Sequence, residues 1–397
     1  MTWTDQSDSF PAPTGGLISS FSSYGLSPDL SLKPDIGAPG GSIYSTYPLE
    51  LGGYATLSGT SMASPHTAGA AALMLEAHPH TPSNGMRTIL QNSADPKAWG
   101  GQPGPRLPRQ RPPAGRGHAG HRRRHPRHDQ GRAGQAGPRE SQLGPVARTL
   151  TIENSGPDPV TYDLSHAAAL ATGPNTFTPA FFNAPATVTF SAPSVQVFAG
   201  GSATFDVTIS PNAGLPDKSL HGGYLVLTPH GGGRVYRVPY AGFKGDYQSI
   251  LAVTPTPYGF PWLAKVVGTS YVNQPSGATF TLEGADIPYF LVHFDHQVAR
   301  LEMRIVDAAT GLPVHPVFSN VFVEHYLPRN SASTSFFAFP WDGTRSHDNG
   351  KGTLDHRKVV ANGTYKVILR ALKALGDEAN PAHWETWTSP VITIARP

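Results

Sequence analysis

The stretch Ser58-Gly59-Thr60-Ser61-Met62-Ala63-Ser64-Pro65-His66-Thr67-Ala68-Gly69-Ala70-Ala71-Ala72-Leu73-Met74-Leu75 combines a hydroxyl nucleophile with the local structure that could activate it. Gly59 reads as a tight turn feeding a helix, with Pro65 in the first helical turn, where a missing N–H costs nothing. Ser61 then falls at a helix N-terminus, where unpaired backbone N–H groups and the positive end of the dipole favour an anionic centre. A hydroxyl beside donors aimed at a developing oxyanion is what acyl transfer requires. From local physics alone Ser61 reads more readily as the N-capping serine of a buried, alanine-rich helix. Small residues at Ala68, Gly69 and Ala72 would let that helix pack closely on a neighbour, with Leu73, Met74 and Leu75 buried.

Gly59-Thr60-Ser61-Met62-Ala63-Ser64-Pro65-His66, followed by Ala68-Gly69-Ala70, resembles the nucleophile motif of the subtilisin-like serine proteases. Phe21-Ser22-Ser23-Tyr24-Gly25 and Lys33-Pro34-Asp35-Ile36-Gly37-Ala38-Pro39-Gly40 resemble segments just upstream of that serine in the family, and residues 82–94 resemble the helix that follows it. The resemblance covers about residues 15–100. A weaker one over 141–247 points to a fibronectin type III-like domain, the arrangement of large secreted subtilases. It implies that Ser61 is the nucleophile, that its backbone N–H is one oxyanion donor, and that Gly59 and Thr60 shape the turn. His66 is not the catalytic histidine, because the family draws that residue from a separate upstream helix. The resemblance further implies polypeptide substrates, a monomer, an extracellular or cell-wall location, and no cofactor beyond structural calcium in the full-length enzyme.

Serine acyl transfer also needs a His to take the hydroxyl proton and an Asp to orient that His. The family order is Asp, His, oxyanion Asn, then Ser. Residues 1–60 contain no His and no Asn, and Asp5, Asp8, Asp29 and Asp35 stand in no Asp-Thr-Gly context. Losing the Ser or the His of such a triad costs on the order of 10⁶ in kcat. The expectation is therefore that this chain alone does not hydrolyse peptides. The first residues carry neither the basic region nor the apolar core of a signal peptide, so either the protein is intracellular or its true beginning is missing. Because most strands of a subtilase sheet would lie upstream, Met1 reads as an internal methionine of a longer coding region.

Composition sets the frame for these elements. The chain has 397 residues, 43 Gly and 40 Pro, and only 14% charged residues against an average of ~25%, which excludes coiled coils and helical bundles. The absence of cysteine excludes disulfides, a thiol nucleophile and thiolate metal sites. No apolar run reaches the roughly 18–20 residues of a membrane helix. The fold expected is mixed: the C-terminal part of an α/β subtilase domain (1–100), a disordered Arg/Pro/Gly/His-rich segment (101–144), and two all-β immunoglobulin/fibronectin-like sandwiches (145–246 and 247–397). Alternation marks strands at 149–152, 203–209, 223–227, 234–238, 301–305 and 364–369, with turns at Asn154-Ser155-Gly156, Gly231-Gly232-Gly233, Thr310-Gly311 and Asn362-Gly363. Asn362-Gly363-Thr364 also fits a glycosylation sequon. Trp384 and Trp387 read either as core or edge residues of a sandwich or as a carbohydrate or protein contact.

The whole-chain net charge of +3 is misleading, because residues 101–140 alone carry +8 and the remainder −5. A nucleic-acid partner is accordingly not expected. His118, His121, His125 and His128 have helical metal-ligand spacing, but no apolar or carboxylate framework surrounds them, so no metal is assigned. The alternative to a protease is a non-catalytic β-sandwich binding module on a decayed protease remnant, or an unfolded product of a broken gene. Segment 101–140 reads as out-of-frame translation of GC-rich DNA. Reading its DNA in the other two frames is expected to restore an apolar, protease-like sequence; if neither frame does so, the frame reading fails.

Overall fold

The computed structural model describes residues 14–100, 144–348 and 354–397. The basic segment and its four histidines lie outside the described residues, as do Asp5 and Asp8. Two compact units form: one from the chain up to Ala171 with Phe182–Leu215 and Leu220–Phe243, the other from Thr172–Phe181, Pro216–Ser219 and Lys244–Pro397. Among the described residues there are two α-helices, both before residue 100, and strands dominate the rest. None of the described helices is long and apolar enough to cross a membrane.

The first unit contains a β-sandwich. Strand Ser202–Ser210 pairs antiparallel with Val146–Glu153 on one side and Thr187–Phe190 on the other. The facing sheet centres on Leu220–Pro229, flanked by Val160–Ala168 and Tyr236–Phe243. Period-2 alternation turns Phe205, Val207 and Ile209 inward against Leu225, Leu227, Val238 and Tyr240, with Leu150 and Ile152 beside them. Each such fully buried side chain contributes ~1.5–3 kcal/mol, which is what holds the two sheets together. The turn at Asn154 is an Asx turn, its Oδ1 accepting the Gly156 N–H at 2.9 Å. The strand expected at 234–238 instead begins at Tyr236 and runs to Phe243, since Arg234 turns its side chain to a helix end described below.

In the second unit, Val298–Asp307 lies between Asn320–Leu327 and Gly363–Lys373. The opposing sheet runs in the order Ser270–Asn273, Trp262–Val267, Tyr289–Val292, Phe337–Pro340. Between them pack Leu263, Phe290, Leu301, Met303, Ile305, Trp341, Val367 and Leu369. Trp341 satisfies its indole N–H on the Thr344 carbonyl at 2.7 Å, so a large side chain is buried with no polar atom stranded. Glu302, 1% exposed, is tolerated because Arg370 (2.9 Å), Arg300 and Arg304 (both 3.3 Å) surround its carboxylate. Trp384 stacks under the Arg370 guanidinium and donates to the Glu378 carbonyl, and Trp387 packs on the core, so both serve the sandwich itself. Asn362 spends its side-chain amide on the backbone of Arg396.

One buried group in the first sandwich works against folding at low pH. His221 shares the inward row of Leu225 and Leu227, is 2% exposed, and neither ring nitrogen finds a partner. Burial of an unpartnered imidazole disfavours its charged form and pulls its pKa down to about 4. Because the folded value is depressed, stability is fully present above the unfolded value and is lost as pH falls from about 6.5 to 4. The predicted loss at pH 4 is about 3 kcal/mol from this residue alone. Urea unfolding at pH 7 and pH 4 should therefore show a smaller acid penalty for His221→Leu than for the parent; equal penalties would exclude the assignment.

Candidate active site around Ser61

A short hairpin leads into the nucleophile turn. Strand β1 (Ile43–Thr46) pairs antiparallel with β2 (Tyr54–Leu57), with Ile43 opposite Leu57. At its open end the Ser42 N–H donates to Ser58 Oγ and the Gly59 N–H to the Gly40 carbonyl, both at 2.8 Å. Helix α1 (Thr60–Ala77) begins immediately afterwards. Its N-cap is Gly59, with no side-chain cap, so Ser61 is not the capping residue. Ser61 is the second helical residue, exposed, and its N–H is among the first four that an α-helix leaves without an internal acceptor.

The steric demand falls on Gly40 and not on Gly59. Gly59 has extended backbone, φ 161°, which any residue adopts, and nothing crowds a Cβ there closer than 3.7 Å. A Cβ on Gly40 would stand 2.7 Å from the Gly59 carbonyl oxygen and 3.1 Å from Ala63 Cβ. Pro65 also sits deeper than expected, in the second turn, where it withholds the N–H that would reach the Ser61 carbonyl. The burial expected for Leu73, Met74 and Leu75 does not occur. No residue of α1 is buried; Leu73 is 67% and Leu75 44% exposed, because no second layer covers the helix among the described residues.

Helix α2 (Ser83–Ser93) holds the loop that carries Gly40. Gln91 donates to the Asp35 carbonyl at 2.7 Å, while Lys33 and Arg87 pair with the Asp35 carboxylate. Asp35 is thereby committed to the loop. Asp29 is committed as well: Ser27 and Ser31 donate to it, and those hydrogen bonds pull its pKa down to about 2. Ile18 pairs with Trp99, and the Gly100 N–H donates to the Ile18 carbonyl, closing the segment on itself. Beyond α2, Arg234 donates to the Ser93 carbonyl (2.8 Å) and Arg237 pairs with Asp95 (3.1 Å), placing cations at the negative end of the helix.

Among the described residues, no hydrogen bond joins Ser61 to a histidine or a carboxylate, and His66 is exposed on α1 five positions further along. No group of three His, Asp or Glu that could hold a metal ion occurs among the described residues. The contact that holds the turn, Gly40 against Gly59, spans 19 residues, and only the Pro39-Gly40 text hinted at it.

Residues 8–131 match the Subtilase family, and residues 143–241 match an Fn3-like domain. The nucleophile segment belongs to the subtilase family. Similar proteins include pyrolysin of Pyrococcus furiosus (48% identical over 66 residues, 17% of this chain and 5% of the relative) and a PII-type proteinase of Lactococcus lactis (53% over 64 residues, 16% and 3%). Thermitase of Thermoactinomyces vulgaris is 46% identical over 92 residues, 23% of this chain and 26% of the relative. The chain thus spans a quarter or less of the length of most of these relatives. The subtilase match continues to residue 131, into the basic segment.

Gly40→Val should push the loop off the subtilase nucleophile turn. Amide hydrogen exchange at Gly59 is expected to accelerate at least tenfold while the strands of both sandwiches keep their protection. Unchanged protection at Gly59 would show that the close approach does not hold the turn.

Proposed function

We propose that this chain is the nucleophile-bearing, C-terminal part of a secreted subtilisin-like serine endopeptidase, followed by fibronectin-like sandwiches. The observation that carries the reading is an exposed Ser61 at the start of α1, on a Gly-Thr-Ser-Met-Ala turn anchored to Gly40. Ser61 Oγ attacks the scissile carbonyl of a polypeptide as a general base takes its proton. The Ser61 N–H donates to the tetrahedral oxyanion, which collapses with loss of the amine to an acyl-enzyme that water then hydrolyses. Gly59 and Thr60 shape the turn that presents the hydroxyl. The base, its orienting Asp and a second oxyanion donor would come from polypeptide outside these 397 residues, so the isolated chain is inactive. The complete enzyme acts outside the cell or at its wall, as a monomer.

A second reading is a non-catalytic β-sandwich binding module carrying a decayed protease remnant. It is favoured by the apolar clusters buried within the sandwiches among the described residues. A fluorophosphonate probe separates the two. The 397-residue chain should not be labelled at Ser61, and a chain extended with the upstream coding region should be, with Ser61→Ala abolishing the signal. Labelling of the short chain would contradict its inactivity. Failure of the extended, folded chain to label would favour the binding module.

A further inference from the structure

The outer face of the four-stranded sheet in the second unit is unusual for a surface. Cross-strand register places Trp262, Leu291 and Ala338 in one row, and Asn273, Ala264, Tyr289 and Pro340 in the next, with Tyr271 opposite Val266. None of these positions is charged, and Lys265 lies on the opposite face, over the core ring of Phe280. A sheet face turned to solvent normally alternates polar residues outward. Here aromatic rings take their place.

Six rings form a continuous cluster, tilted or edge-on to one another, with Phe260 buried at its centre and the other five reaching the surface in part. Tyr258 lies 6.1 Å from Phe260, which lies 4.8 Å from Trp262 and 5.4 Å from Phe336. Phe336 is 5.8 Å from Tyr271, which is 5.2 Å from Tyr289. Phe260, Ala264 and Leu291 are buried beneath, so the rings above rest on a packed floor. Trp262 spends its indole N–H on the Tyr258 carbonyl at 2.8 Å, which fixes the ring and leaves its apolar surface to offer. The hydroxyls of Tyr258, Tyr271 and Tyr289 have no partner among the described residues. The platform therefore presents a mixture of aromatic faces and edges with hydroxyls that can donate and accept, and none of its sheet-face positions is charged.

That chemistry suits an uncharged polymer whose units have apolar C–H faces and hydroxyl rims. We propose that this platform binds a neutral polysaccharide, its pyranose rings stacked on Tyr258, Trp262, Phe336, Tyr271 and Tyr289. The lack of charge decides against anionic ligands, which gain from Arg or Lys. Tyr and Trp supply large contact area with little loss of side-chain freedom. The assignment is independent of Ser61 and holds for an active or an inactive chain.

Isothermal titration calorimetry of the full chain against cellohexaose, mannohexaose, chitohexaose and, as the anionic control, hexagalacturonate tests this. At least one neutral hexasaccharide should bind saturably, and hexagalacturonate should bind at least tenfold more weakly. Tyr258→Ala and Phe336→Ala remove rings that are 52% and 38% exposed without opening the core, and each should weaken binding about tenfold. Tyr271→Phe and Tyr289→Phe keep the packing and remove only hydroxyls, so a smaller loss there separates ligand contact from misfolding. No binding by any neutral sugar, equal binding of hexagalacturonate, or indifference to all four variants overturns the proposal. Self-association in sedimentation experiments that Phe336→Ala abolishes, without sugar binding, would instead make the face an interface between copies.

Discussion

An apolar face is stable only when a second layer covers it, and this constraint divides the protein. In both sandwiches the layer is present: Phe205 and Ile209 meet Leu225 and Val238, and Met303 and Leu369 meet Phe290. Around α1 no such layer occurs among the described residues, and Leu73 and Leu75 stand exposed. Folding energy and candidate chemistry therefore occupy different parts of one chain. The turn at Ser61 is held by a handful of backbone hydrogen bonds, whereas the sheets are held by burial.

Electrostatics follow the same division of labour. Carboxylates near the nucleophile segment are spent on local structure: Asp29 in its serine turn and Asp35 between Lys33 and Arg87. Glu302 deep in the second sandwich is neutralised by three arginines. A carboxylate poised to orient a catalytic imidazole needs a histidine partner in a cleft, and among the described residues Asp29 and Glu302 bond to serines and arginines instead.

Much of the strand pattern was legible because alternating side chains on a pleat report directly on burial. Residues 203–209 and 364–369 read as strands and are strands, and Asn154 reads as a turn because its side chain satisfies backbone two residues on, whereas Asn362 spends its side chain on Arg396, 34 residues away. Helix α1 was legible from its small residues and its family text, but the fate of Leu73 was not. Amphipathicity states which face wants cover, not whether cover exists. The β1–β2 hairpin escaped because its side chains are mostly exposed, so no burial pattern marks it; the stacked pair Tyr44 and Tyr54 spans the two strands. The role of Gly40 depends on a neighbour far along the chain, and the aromatic platform depends on register across four strands. Neither is a local property.

The contacts of Arg234 and Arg237 with the end of α2 bear on how such chains can be recombined. A β-sandwich joined to its neighbour by a bare linker can be exchanged by shuffling at the linker. Here the sandwich supplies the cations that neutralise the terminus of a helix belonging to the other sequence family. Transplanting either part alone would strand the Ser93 carbonyl or the two guanidinium groups, so inheritance favours the pair as a unit. The boundary between the two families in the sequence is thus not a seam in the structure.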